Sequence, residues 1–154
     1  MGELISTLEV FRKDYIEMPN LPTREEKDGS WISSQLMRAG FVGGEVHRLP
    51  LDSRYWVCTK KDFQDWIEWD WTNGKKYIAE EYDCDNFAFS FKARCDRKIG
   101  INSVALVIDY SGGHAYNLVV FSDVAPELFE PQNDSWRKKG ESTMYTLTSG
   151  YVIL

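Results

Sequence analysis

The sequence has little histidine, little cysteine and no sustained apolar run. Two histidines and three cysteines occur in 154 residues, without a CxxC pair; this argues against a structural zinc site. An odd cysteine count without framework spacing argues against a disulfide-stapled fold. Cys84 and Cys95 share a predicted helix and would lie roughly 16 Å apart along it, too far to bridge. A bridge from Cys58 to either one stays open, unsupported by spacing. No stretch is long and apolar enough for a transmembrane helix. The first ten residues carry Glu3 and Glu9 and show no signal-peptide pattern. The expectation is a soluble chain without a membrane partner, cytoplasmic as synthesised. Basic residues are also short: 18 Lys and Arg against 24 Asp and Glu give a net charge of -6. They are scattered apart from Arg137-Lys138-Lys139, which excludes nucleic acid as the main partner.

What is present is globular: 43% hydrophobic, 27% charged and 14% aromatic residues, enough for one core. Residues 4–18 carry Leu4, Leu8, Phe11 and Tyr15 at helical spacing. Asn20-Leu21-Pro22 breaks that pattern, and residues 23–30 read as a polar linker. Residues 1–30 are therefore read as a helical arm and linker, and residues 31–154 as the folded domain. Residues 33–39 predict a helical turn, and Gly43-Gly44 a tight turn. Residues 45–49 and 55–58 predict short extended pieces. Thr59 reads as the N-cap of a helix through Phe63, Trp66 and Ile67. Residues 83–98 give the best helix, with Cys84, Ala88, Phe91 and Cys95 on one face and Gly100 at its end. Strands are predicted at 103–110, 114–121 and 128–130, with further ones around 144–147 and 151–154. Helices first and strands afterwards indicate an α+β fold.

One stretch carries chemistry: Glu81-Tyr82-Asp83-Cys84-Asp85-Asn86-Phe87. Asp83 suits an N-cap, which places Cys84 in the first turn, where the helix dipole favours thiolate. The flanking aspartates oppose that effect. His114 follows Gly112-Gly113 at a strand start and is the natural base for a thiol. Glu130 is a candidate to orient the imidazole. Gln132 is a candidate to brace the ring or donate to an oxyanion. Blander readings stand beside these. A cysteine on an apolar helix is more often core, which suits Cys95 and Cys58. His47 sits among turn residues without an obvious partner. Asp83 and Asp85 also suit a first helical turn with no further role.

The motifs Tyr82-Asp83-Cys84-Asp85-Asn86-Phe87-Ala88, Gly113-His114-Ala115-Tyr116-Asn117 and Phe129-Glu130-Pro131-Gln132-Asn133, in this order, resemble the protease domain of the Marasmius oreades agglutinin family. There a papain-like cysteine protease domain follows a β-trefoil lectin domain. The resemblance spans roughly residues 50–135. It implies a papain-like fold, with a central cysteine-bearing helix packed on an antiparallel sheet. It also implies Cys84 as nucleophile, His114 as base, Glu130 as orienting acid and Gln132 as the glutamine of the Glu-Pro-Gln motif. It further implies calcium, with Asp85 and Asn86 at the metal. Asn86 stands where the family has a second aspartate, which removes one negative charge. The chain is too short to hold a trefoil before this domain, so glycan binding is not carried over.

The leading expectation is a cysteine peptidase acting on a peptide or protein substrate. A related amidase or acyl transferase would use the same parts. The alternative from a different class is a non-enzymatic binding or structural module that keeps the papain-like fold.

Overall fold

The computed structural model describes residues 18–154. The helix predicted over residues 4–18 lies outside them, save Met18. The first described element corrects the predicted linker. Strand β1 (Glu25–Asp28) pairs antiparallel with β3 (Arg54–Val57). Polar composition hid this strand, because β1 is an exposed two-stranded ribbon with little to bury.

Helix α1 (Gly29–Arg38) starts four residues before the predicted turn and is ten residues long. Asp28 caps it: its carboxylate accepts from the Trp31 backbone N–H at 2.8 Å. The Ser30 hydroxyl and that N–H hold the Asp28 carboxyl below its ordinary range. Strand β2 (Glu45–Leu49) follows a turn in which Gly43 and Gly44 both take positive φ. Helix α2 (Lys60–Trp69) is capped by the Thr59 hydroxyl, which accepts from Asp62 N at 3.1 Å. Phe63, Trp66 and Ile67 are its buried face.

Helix α3 (Cys84–Ile99) is sixteen residues long and ends at Gly100 in the left-handed conformation. It packs on β4 (Val104–Asp109) and β5 (His114–Val119). Strands β6 (Glu127–Glu130), β7 (Ser135–Arg137) and β8 (Ser149–Ile153) complete a six-stranded sheet in the order β2-β8-β4-β5-β6-β7. Neighbours are antiparallel except β2 and β8, which run parallel. The expected all-antiparallel sheet is therefore mixed. The strand predicted at 144–147 is instead a 3-10 turn at Thr143–Tyr145.

Two cores lie on the two faces of the sheet. Ala105, Val107, Tyr116, Leu118, Leu128 and Val152 pack with Ile32 and Leu36 of α1 on one face. Val104, Val119 and Phe129 pack with Phe63, Phe91 and Cys95 on the other. Central strands buried on both sides read as continuous apolar runs rather than alternating ones. This explains the unbroken Val-Ala-Leu-Val-Ile pattern of β4.

Candidate functional site

Helix α3 begins where the sequence suggested. Asp83 is its N-cap and forms a capping box with Asn86, whose amide oxygen accepts from Asp83 N at 3.0 Å. Cys84 is the first helical residue and is half-buried, whereas Cys58 and Cys95 are buried. Burial pushes the Cys58 thiol up to about 12 and the Cys95 thiol well above its usual range, which suits core residues. A hydrogen bond between the Asp83 and Asp85 side chains holds the Asp83 carboxyl low and raises that of Asp85. The Tyr77 hydroxyl is raised, first by desolvation and then by Asp83, Cys84 and Glu80.

His114 opens β5 and is 8% exposed. Its Nε2 makes a 2.7 Å hydrogen bond with Glu130 Oε2, and the Tyr145 hydroxyl donates to the same oxygen at 2.8 Å. The other carboxylate oxygen accepts from the Gln132 backbone N–H at 3.2 Å. Burial would raise the Glu130 carboxyl, but the bonds from His114, Tyr145 and Gln132 outweigh it and the net shift is downward. Gln132 thus reaches Glu130 through its main chain. The His114 ring packs against Tyr116 and Tyr145, each with centroids 5.6 Å away.

A second carboxylate supports this cluster. Asp109 is 1% exposed and accepts from the Tyr116 hydroxyl and Leu147 N through one oxygen, at 2.9 and 2.8 Å. Its other oxygen accepts from the Ser111 hydroxyl and Gly112 N. Gly112 cannot carry a side chain here, because a Cβ would lie 2.5 Å from the Met144 carbonyl oxygen. Sequence reasoning assigned no role to Asp109 and placed Tyr145 in a strand. Asp109 had a legible signal: an aspartate followed by Tyr-Ser-Gly at a strand end is an Asx-turn pattern. Tyr145 had none.

The structure joins His114 to Glu130 by a hydrogen bond. Side chains alternate across β5. Asn117 and Val119 face α3: the Asn117 amide donates to the Ala88 and Ala105 carbonyls, both at 3.0 Å. His114 packs with Tyr116 and Tyr145, which belong to the opposite core. Among the described residues, no hydrogen bond links the Cys84 thiol to the imidazole. The Asn86 amide oxygen accepts from Asp83 N in the capping box. No group of three or more His, Cys, Asp or Glu side chains suited to a metal occurs among the described residues.

Residues 33–148 match the model of the ricin-type beta-trefoil lectin C-terminal domain family. The chain belongs to this family. No curated protein matches it. Two solved structures share the fold. The PSL1a-E64 complex is 20% identical with a TM-score of 0.62, over 84% of this chain and 51% of that one. The Polyporus squamosus lectin bound to the human-type influenza-binding epitope Neu5Aca2-6Galb1-4GlcNAc is 18% identical with a TM-score of 0.63, over 84% of this chain and 49% of that one. The chain spans about half the length of each. Membership of a lectin family overturns the expectation of a thiol-protease hydrolase with a peptide substrate. It favours the non-enzymatic alternative. No helix among the described residues is long and apolar enough to cross a membrane.

Proposed function

We propose that this chain is a non-enzymatic binding module of a trefoil-type lectin, and that its ligands are carbohydrates. The observation that carries this reading is the family match over residues 33–148. A structural neighbour is a lectin bound to a sialylated trisaccharide, which supports the same ligand class. In this reading the papain-like arrangement, a cysteine-bearing helix on a sheet, is retained as a scaffold. His114, Glu130 and Tyr145 form a closed buried node that fixes β5 against β6 and the 143–145 turn. Cys84, Asp85 and Asn86 shape the start of α3.

Titrating the full chain with sialylated N-acetyllactosamine, followed by calorimetry and ligand-observed NMR, tests the reading. Saturable binding is expected, unchanged within about twofold in Cys84→Ala, because a half-buried thiol at a helix start contributes little to the fold. Absence of saturable binding to this and other glycans across an array would overturn it.

A further inference from the structure

Resting on the carbohydrate reading above, we infer that a cleft beside α3 is a subsite for an acidic sugar. The cleft has a volume of about 370 Å³, within the range of small-molecule sites. Its walls are Trp71, Thr72 at the start of the 72–74 turn, Lys75, Tyr82, and Ser90, Ala93 and Arg94 of α3.

Charge separates this cleft from the rest of the surface. The chain carries a net charge of -6, yet two cations and no carboxylate line the cleft among the described residues. A larger cavity of about 620 Å³ is lined by Asp62, Asp65 and Glu68 and is the opposite in sign. Arg94 is bonded through Nε to Asp70, whose side chain is fully buried, and the Arg94 side chain stays 35% exposed. Lys75 is exposed, with its ammonium 5.3 Å from the Tyr82 ring centroid. With one cation compensated and one not, the cleft is net positive and suits a single carboxylate. A carboxylate gains charge-assisted hydrogen bonds from Lys or Arg that a neutral sugar does not.

The rest of the lining suits the body of a sugar. Trp71 and Tyr82 offer apolar surface with a polar edge. The Tyr82 hydroxyl donates to Ser90 Oγ at 2.9 Å, which fixes both groups at the wall. Thr72 is 5% exposed, and its hydroxyl is closed off from the cleft. The cleft is also held in shape: Asp70 accepts from Thr72 N at 2.9 Å through one oxygen and from Arg94 through the other. One buried carboxylate thus ties both walls together.

The test uses the full chain and two probes, the α-methyl glycoside of N-acetylneuraminic acid and its carboxyl methyl ester. Saturation-transfer NMR and calorimetric titration are run on the wild type, Lys75→Glu and Ser90→Ala. The acid is expected to bind at least about fivefold more tightly than the ester. Lys75→Glu is expected to weaken the acid about tenfold or more while leaving the ester within about twofold. Ser90→Ala is expected to weaken both probes by a similar factor. Lys75 is exposed, so its loss leaves the fold intact, and an unchanged melting temperature confirms this. If the wild type binds the acid and both variants bind it equally well, the subsite is wrong while the carbohydrate reading stands. If the ester binds as well as the acid, the charge argument fails. If the wild type binds neither probe but binds other glycans, only the subsite is overturned; if it binds no glycan, both fall.

Discussion

Glu130 shows how much one carboxylate holds in this fold. It is 3% exposed and takes bonds from His114, Tyr145 and the Gln132 main chain. Its carboxyl sits below the ordinary value of 4.5 in the folded protein. The unfolded chain therefore binds its proton more readily, so the stabilisation is present above that value and is lost as pH falls through the folded pKa. Chemical denaturation at a series of pH values is expected to show wild-type stability dropping on acidification below about pH 5. Glu130→Gln should flatten that part of the profile and cost about 2–4 kcal/mol at neutral pH, because it leaves a buried ring and hydroxyl mispaired. An unchanged acid limb in the variant would assign the pH dependence to other groups. Glu130 was legible as a candidate partner of His114 because both sit at strand ends; that the two share a face follows only from the antiparallel pairing of β5 with β6. Tyr145 was not legible, because its contribution depends on a turn that returns from residues 143–145, and no local pattern marks that return.

At the level of elements, the joint between α3 and β5 carries the most consequence. Helix α3 was readable from its cap, its apolar face and Gly100, and the β4–β5 hairpin from its two apolar runs around Ser-Gly-Gly. What the pattern did not give was the face of β5 that each residue serves. Both faces are buried, so hydropathy does not alternate and the parity of His114 relative to α3 stays hidden. Asn117 resolves it. Its amide group bonds the Ala88 carbonyl on the helix and the Ala105 carbonyl on β4, and it is completely buried. Asn117→Ala removes both of these bonds and leaves a cavity, and is expected to cost about 2–4 kcal/mol. Urea titration reads that loss as a lower midpoint at constant slope. A midpoint unchanged from wild type would mean that apolar contacts alone align α3 with the sheet. The short strands β1 and β7 escaped notice for a different reason. They are three or four residues long, and neither contains a buried residue, so pairing rather than hydropathy defines them.

The whole molecule is closed by its last strand. β8 lies between β2 and β4, parallel to one and antiparallel to the other. The sequence predicted an extended segment there but had no means of placing it between β2 and β4, since its partners begin at Glu45 and Val104. Further bonds seal the position: the Leu154 carbonyl accepts from the Tyr55 hydroxyl at 2.7 Å and from Leu51 N at 2.8 Å. Backbone fit is just as close. A Cβ on Gly150 would stand 2.1 Å from the Ile108 carbonyl oxygen, at φ +150, so only glycine allows β8 to lie against β4. Without β8, strand β2 loses its only neighbour within the six-stranded sheet, and an edge of β4 is opened to water. The α1 core, which includes Val152 and Leu154, then stands uncovered. Deleting residues 149–154 is therefore expected to abolish cooperative folding, seen as a collapsed amide proton spectrum and a broad thermal transition. Gly150→Ala is the milder probe, keeping the strand while forcing it away from β4. It should destabilise by more than about 2 kcal/mol while leaving a cooperative transition. If the deletion variant still unfolds cooperatively with wild-type slope, β8 is an accessory strand and the sheet is held by its β4–β5–β6 centre alone.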